Sequence, residues 1–208
     1  MLKTSLYSKH IQLNAKMVNF AGFNMPISYP SGINLECDFV RKNVGLFDVS
    51  HMGQILIRGK SSLKFIEYLT SNNVSKLVDN QCQYSLLCNE KGGIVDDLIL
   101  YRMNQDKFML VVNASNIDKN YKWIVNKQKE FCSKFEHSSI DVQNLSSDVS
   151  LIAVQGPKSR TILTNFDDFK DSVNDLDFYH FKDISDNQEL RILSRTGYTG
   201  ELGYEIYI

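Results

Sequence analysis

Tyr84-Ser85-Leu86-Leu87-Cys88-Asn89-Glu90-Lys91-Gly92-Gly93-Ile94-Val95-Asp96-Asp97-Leu98-Ile99-Leu100-Tyr101 reads as two strands around a turn. Apolar runs too short for a helix flank a polar, glycine-ended pentapeptide, which is the pattern of a β-hairpin. Phe108–Val112, after the polar turn 104–107, adds a third strand. Upstream, Gly53–Gly59 is a glycine-bounded β-branched run and reads as a strand. Ser61 is a candidate N-cap for a helix presenting Leu63, Phe65, Ile66 and Leu69. Leu35, Phe39, Val40 and Val44 suit one face of a short helix that ends at Gly45. Downstream, Ser115 or Asn116 starts an amphipathic helix through Tyr121, Trp123 and Ile124 toward Gln128. The polar stretch 136–147 is then the expected internal boundary of the chain. Beyond it come a strand at 149–155 stopping at Gly156-Pro157, a helix at 159–163 and a strand around 188–193. The order strand, helix, strands, helix occurs about twice, so the expected class is α+β with mixed sheets. The sequence stops at Gly203–Ile208 inside a further apolar strand, which reads as a truncated end with an unpaired edge prone to association.

Composition bounds the function. The 208 residues carry 23 Lys+Arg against 24 Asp+Glu, a formal charge of −1 without the basic surplus that phosphate binding requires, so nucleic acid is not an expected partner. No apolar run approaches the roughly 18 residues of a membrane-spanning helix. The N-terminal MLKTSLYSKH lacks the hydrophobic region of a secretory signal. Cys37, Cys82, Cys88 and Cys132 form no C-x-x-C pair and no set with histidine at metal spacing, so neither a disulfide framework nor a metal site is expected.

Three clusters could carry chemistry. Asp96 and Asp97 break an apolar strand and, being adjacent, leave on opposite faces, so one can meet solvent while the other meets a core or cavity; two solvated groups on a strand near an edge are the alternative. Gly197-Tyr198-Thr199-Gly200-Glu201-Leu202-Gly203-Tyr204-Glu205 offers close backbone approach, aromatic faces and an acceptor, or is a hairpin loop with surface tyrosines. Its spacing is not that of a phosphate loop. Asp48, Ser50 and His51 contain the residue types of a hydrolase triad, but no G-x-S-x-G elbow accompanies them, and a turn held by Asp48 or Ser50 is the stronger reading.

Taken together, these runs resemble the T-protein of the glycine cleavage system, the tetrahydrofolate-dependent aminomethyltransferase family. The matching segments are 4–7, Ala15–Pro26, Gly45–Met52, Gly92–Leu98, Val111–Ala114, Val154–Pro157 and Arg195–Glu201, in order along nearly the whole chain. The resemblance implies two related folate-binding subdomains of a three-domain, cloverleaf-like protein whose C-terminal barrel is absent from these 208 residues. It implies transfer of the one-carbon unit from the aminomethyl-lipoyl arm of H-protein to tetrahydrofolate, with release of ammonia and formation of the 5,10-methylene form. The family's essential aspartate falls on Asp97. Its pteridine contacts fall on Tyr84, Tyr101, Val111, Asn113, Tyr198 and Glu205, with Met52 lining the pocket. Where some relatives carry tyrosine, Phe178 precedes Tyr179 here, and neither is assigned to the site.

Two rivals share the superfamily: a tetrahydrofolate-dependent demethylase, and a non-enzymatic iron–sulfur assembly protein. The latter carries a K-G-C-Y-x-G-Q-E motif whose cysteine has no counterpart in Arg195–Glu201. The resemblance begins at Thr4, leaving no room for a presequence, so a bacterial cytoplasmic location is expected. These 208 residues alone are expected to be inactive.

Overall fold

The computed structural model describes residues 1–185 and 190–208. In chain order the elements are α1 (Tyr7–Gln12), β1 (Lys16–Phe20), β2 (Phe23–Ser28), α2 (Ile33–Lys42), β3 (Gly45–Asp48), β4 (Gly53–Arg58), α3 (Ser62–Leu69), β5 (Gln81–Cys88), β6 (Ile94–Asn104), β7 (Lys107–Val112), α4 (Ile117–Lys134), β8 (Asp141–Asn144), β9 (Leu151–Gln155), α5 (Ser159–Leu163), α6 (Lys170–Val173), β10 (Phe181–Asp183), β11 (Ile192–Ser194) and β12 (Gly203–Tyr207). They form two compact units. One comprises Met1–His51 with Val149–Ile208, the other Met52–Asp148.

In the unit Met52–Asp148 a five-stranded sheet runs β5-β6-β7-β4-β8. The hairpin read from the sequence is β5-β6, with Tyr84 opposite Ile99 and Leu86 opposite Asp97. Alternation along β6 sends Leu98 and Leu100 to one face, where they join Ile55, Ile57, Leu110 and Val112 in a core covered by Phe65 and Ile66 of α3 and Ile124 and Phe131 of α4. Helix α4 forms because Ile117, Tyr121, Ile124 and Phe131 recur at helical spacing and bury one stripe. Ser61 occupies the N-cap position of α3 but makes no capping bond; its hydroxyl accepts from the Ser139 amide instead. The stretch 136–147, read as a linker, contains β8, which pairs with β4 at the sheet edge. An edge strand contributing only Val142 and the nearby Ile140 to the core carries too few apolar residues to stand out from a loop. The chain leaves this unit between Asp148 and Val149.

In the other unit the sheet order is β10-β11-β12-β9-β3, and β1-β2 is a separate hairpin turning at Ala21 and Gly22, both at positive φ. Val154, Leu163, Val173, Leu176, Leu193, Tyr204 and Ile206 form its core. Four expectations change here. Helix α2 ends at Lys42 rather than at Gly45, and Gly45–Asp48 is a strand, β3, paired with β9 and leading into the turn that Asp48 holds through the Ser50 amide. The strand expected at 188–193 is β11 at Ile192–Ser194; residues 188 and 189 lie outside the described residues. The final strand is not an open edge: β12 lies between β11 and β9, hydrogen-bonded to both, and all five of its residues are buried. Among the described residues every pairing within the sheets is antiparallel rather than mixed, and the single parallel contact is the isolated bridge between Leu2 and Phe23.

The repetition seen in the sequence is topological. In each unit a strand leads through helix to a three-strand meander whose last strand pairs back with the first. Beside that first strand lies β8 in one unit and β3 in the other.

Candidate functional site

Strand pairing fixes what each face of the β5-β6-β7-β4-β8 sheet presents. Opposite residues share a face, so Asp97, Ile99 and Tyr101 of β6 lie with Tyr84 of β5, Val111 and Met109 of β7, and Gln54 and Leu56 of β4. This is the face turned away from α3 and α4. Asp97 is held there by two donors. The Tyr84 hydroxyl reaches Oδ2 at 3.0 Å, and the Asn113 amide, just past the end of β7, reaches Oδ1 at 2.7 Å. The structure thus joins three of the sequence-predicted residues, Tyr84, Asp97 and Asn113, by direct hydrogen bonds.

The other expected contacts differ in accessibility. Tyr84 is 49% exposed, while Tyr101 and Val111 of the same face are buried at 0% and 4%. Met52 and Asn113 are half-buried. In the other unit Glu205 is 3% exposed and Tyr198 71% exposed. Glu205 pairs with Ser194 and Ala153, on the sheet face opposite the core of Tyr204 and Ile206, and accepts from the Thr196 hydroxyl. Phe178 is exposed and its ring packs at 4.7 Å, tilted by 58°, against that of Tyr179, which sits at φ 61°.

Asp96 takes the opposite face and is buried. Its Oδ1 accepts from Asn113 at 3.0 Å and Asn116 at 2.9 Å, and its Oδ2 accepts from Asn120. Asn116 and Asn120 were not singled out from the sequence, although with Asn113 they recur at 113, 116 and 120, one side of a helical turn. Gln54 was missed as well. It is fully buried, its amide donates to the Met52 carbonyl at 3.1 Å, and its Oε1 has no hydrogen-bond partner.

The glycine-rich segment has a packing explanation. Added Cβ atoms at Gly197 and Gly203 would fall 2.1 Å and 2.2 Å from Gln155 Oε1. Gln155 is buried and donates to the carbonyls of Thr196 and Tyr204 while accepting from Thr199. Both glycines therefore make room for an internal glutamine.

Asp48, Ser50 and His51 do not form a triad. Asp48 accepts from Thr4 at 2.6 Å and the Ser50 amide at 3.0 Å, and lies 2.8 Å from His10 Nε2. The Ser50 hydroxyl bonds the backbone of Leu151. Burial would raise the Asp48 carboxyl, but the hydrogen bonds from Thr4, His10 and Ser50 outweigh it and hold the group below its ordinary value. His51 packs edge-on to Phe20 at 5.3 Å, and its Nδ1 has no partner. Burial depresses its pKa below 6.5, against the opposing pull of Asp48. A histidine kept neutral in the fold contributes stability that is complete above its unfolded value and lost as pH falls through the folded one. Thermal stability should therefore fall below pH 6.5, and His51→Phe should remove that part of the pH dependence while the loss from Asp48, which begins below its ordinary value of 3.8, persists. A melting-temperature series over pH, run on both proteins, checks this.

The family model described as GCVT N-terminal domain matches residues 6–208. The chain belongs to this family. It is 47% identical over 207 residues to an aminomethyltransferase of Pseudothermotoga lettingae, covering all of this chain and 54% of that protein. An aminomethyltransferase of Flavobacterium psychrophilum is 46% identical over 209 residues, with 100% and 55% coverage. Among solved structures, glycine cleavage system aminomethyltransferase T from Bartonella henselae superposes with a TM-score of 0.86 at 33% identity, over all of this chain and 53% of that one. The GCVT N-terminal domain thus accounts for the α+β fold, and the chain spans about half the length of these relatives. A heterotetrameric sarcosine oxidase from Corynebacterium sp. U-96, with a TM-score of 0.51 at 15% identity over 84% of this chain and 83% of that one, shares the fold alone. Among the described residues no helix is long and apolar enough to cross a membrane.

Proposed function

We propose that these residues belong to a cytoplasmic aminomethyltransferase of the glycine cleavage system. It takes the aminomethyl group from the lipoyl arm of H-protein and delivers the one-carbon unit to tetrahydrofolate, with release of ammonia. The observation that carries this reading is the Asp97 carboxylate, presented on the sheet face turned away from α3 and α4 and oriented by Tyr84 and Asn113, in a chain of the GCVT N-terminal domain family. Tetrahydrofolate supplies the amine that accepts the carbon.

The residues fit such a ligand. A flat heteroaromatic ring needs aromatic and apolar walls with a few fixed polar partners along its edge. The half-exposed Tyr84 ring, tied at its hydroxyl to a carboxylate, offers both. Breaking the S–CH2–NH2 unit develops positive charge on the carbon. A carboxylate already held by two donors stabilises that charge without reorganising, and it lies ready to organise proton transfer. Met52, Tyr101 and Val111 complete the proposed folate-contacting set of this unit; Tyr198 and Glu205 of the other unit are proposed as contacts from the family resemblance alone.

Turnover is proposed for the full-length protein rather than for these 208 residues alone. The test is methylene-tetrahydrofolate formation from aminomethylated H-protein, run beside N-methyl and S-methyl donors. Product from the H-protein donor only supports the proposal; product from methyl donors only assigns the demethylase reading instead.

A further inference from the structure

We infer that Asp96 is a positioning residue, acting on Asp97 through the Asn113 amide. The inference rests on the catalytic reading of Asp97 given above.

Asp96 lies on the face of β6 that carries Leu98 and Leu100 into the core, where an unpartnered carboxylate is costly. Among the described residues it forms no ion pair; three asparagine amides satisfy it. A carboxylate that only accepts is the group that matches three converging N–H donors. Two of those donors, Asn116 and Asn120, come from the N-terminal end of α4. The third does more than satisfy Asp96. The Asn113 amide nitrogen lies 3.0 Å from Asp96 Oδ1, 2.7 Å from Asp97 Oδ1 and 3.3 Å from the Asp97 backbone oxygen. One NH2 group therefore bridges carboxylates that leave β6 on opposite faces. With acceptors on both sides, its orientation is fixed, and its second hydrogen is committed to Asp97. Asp97 is in this way referenced to an 18-residue helix in the packed core rather than only to its own strand.

Asp96→Asn places an amide among three amide donors, so at least one N–H must turn away. A neutral amide also holds Asn113 less firmly than the carboxylate does, so Asp97 loses part of its fixed direction. Displacements of this kind cost rate on the order of 10- to 100-fold, while substrate binding, which rests on other walls of the site, changes little.

The test is a double-mutant cycle in the full-length protein. Asp96→Asn, Asn113→Ala and the double variant are compared for kcat, tetrahydrofolate Kd and melting temperature. The expected result is a kcat loss of roughly 10- to 100-fold for Asp96→Asn with Kd within about threefold, and a double variant no slower than Asn113→Ala alone. A purely structural role lowers the melting temperature but leaves kcat intact, or gives losses in kcat that multiply; either result overturns the inference. If Asp96→Asn does not fold, Asn116→Ala, which removes one donor from Oδ1, takes its place in the same cycle, with the same non-additivity with Asn113→Ala expected. An unsubstituted protein without turnover overturns the aminomethyl-transfer reading and this inference with it. Multiplying losses in an active protein overturn this inference alone.

Discussion

Asp97→Asn is expected to lower kcat for aminomethyl transfer on the order of 10²–10³-fold, the size of effect seen when one preorganised group facing developing charge is removed. Asparagine keeps the shape and accepts one of the two hydrogen bonds that Tyr84 and Asn113 donate. The negative charge is lost. Because that charge acts mainly as positive charge develops on the transferred carbon, the loss falls on kcat, and tetrahydrofolate affinity, proposed to rest on other contacts such as the Tyr84 ring, changes far less. Steady-state kinetics beside a direct binding titration separate the two. The opposite ranking, with Asp97→Asn near normal and Asp96→Asn inactive, would reverse the assignment of the two faces of β6.

Gly156→Ala is expected to destabilise the unit Met1–His51 with Val149–Ile208 by about 2–6 kcal/mol. Two causes combine. Gly156 sits at φ +132°, a conformation L side chains rarely adopt. An added Cβ would also lie 2.4 Å from the Asn43 carbonyl oxygen and 2.7 Å from that of Val40, both backbone atoms at the end of α2 that cannot swing aside. The neighbouring bonds, Gly156 to the Leu202 carbonyl at 2.8 Å and Lys158 to that of Asn43 at 3.0 Å, hold this junction tight. A fall in melting temperature on the order of 10 °C follows for a chain of this size. Gly92→Ala is the control. That residue also has positive φ, at +78°, but nothing lies within 4 Å of its Cβ position, so only the conformational strain applies.

The hairpin around Asp96 and Asp97, α4 and the strand 149–155 were legible because apolar periodicity and turn composition agree there. Elements with little apolar content were not. Strand β8 is an edge strand of mostly polar residues, and β3 is four residues long and sits beside a histidine-containing segment whose composition reads as a turn. The position of β12 inside its sheet was also hidden, since its neighbours β9 and β11 are set by tertiary pairing and not by order in the chain. At the candidate site, strand alternation put Asp96 and Asp97 on opposite faces, and the family resemblance chose Asp97. What it could not supply was Asn113 as a bridge between them, because that depends on where the chain turns after β7. The glycines at 197 and 203 drew attention as possible points of ligand approach, and the reason they are needed, the buried Gln155, lies some forty residues away.

The crystal structure of the full-length protein with bound tetrahydrofolate tests the central claim most directly. The expected result is the pteridine against the exposed Tyr84 ring on the sheet face turned away from α3 and α4, with its N10 region beside the Asp97 carboxylate and Asp96 still enclosed by Asn113, Asn116 and Asn120. Folate bound away from that face, or held by Asp96 with Asp97 turned elsewhere, would contradict it.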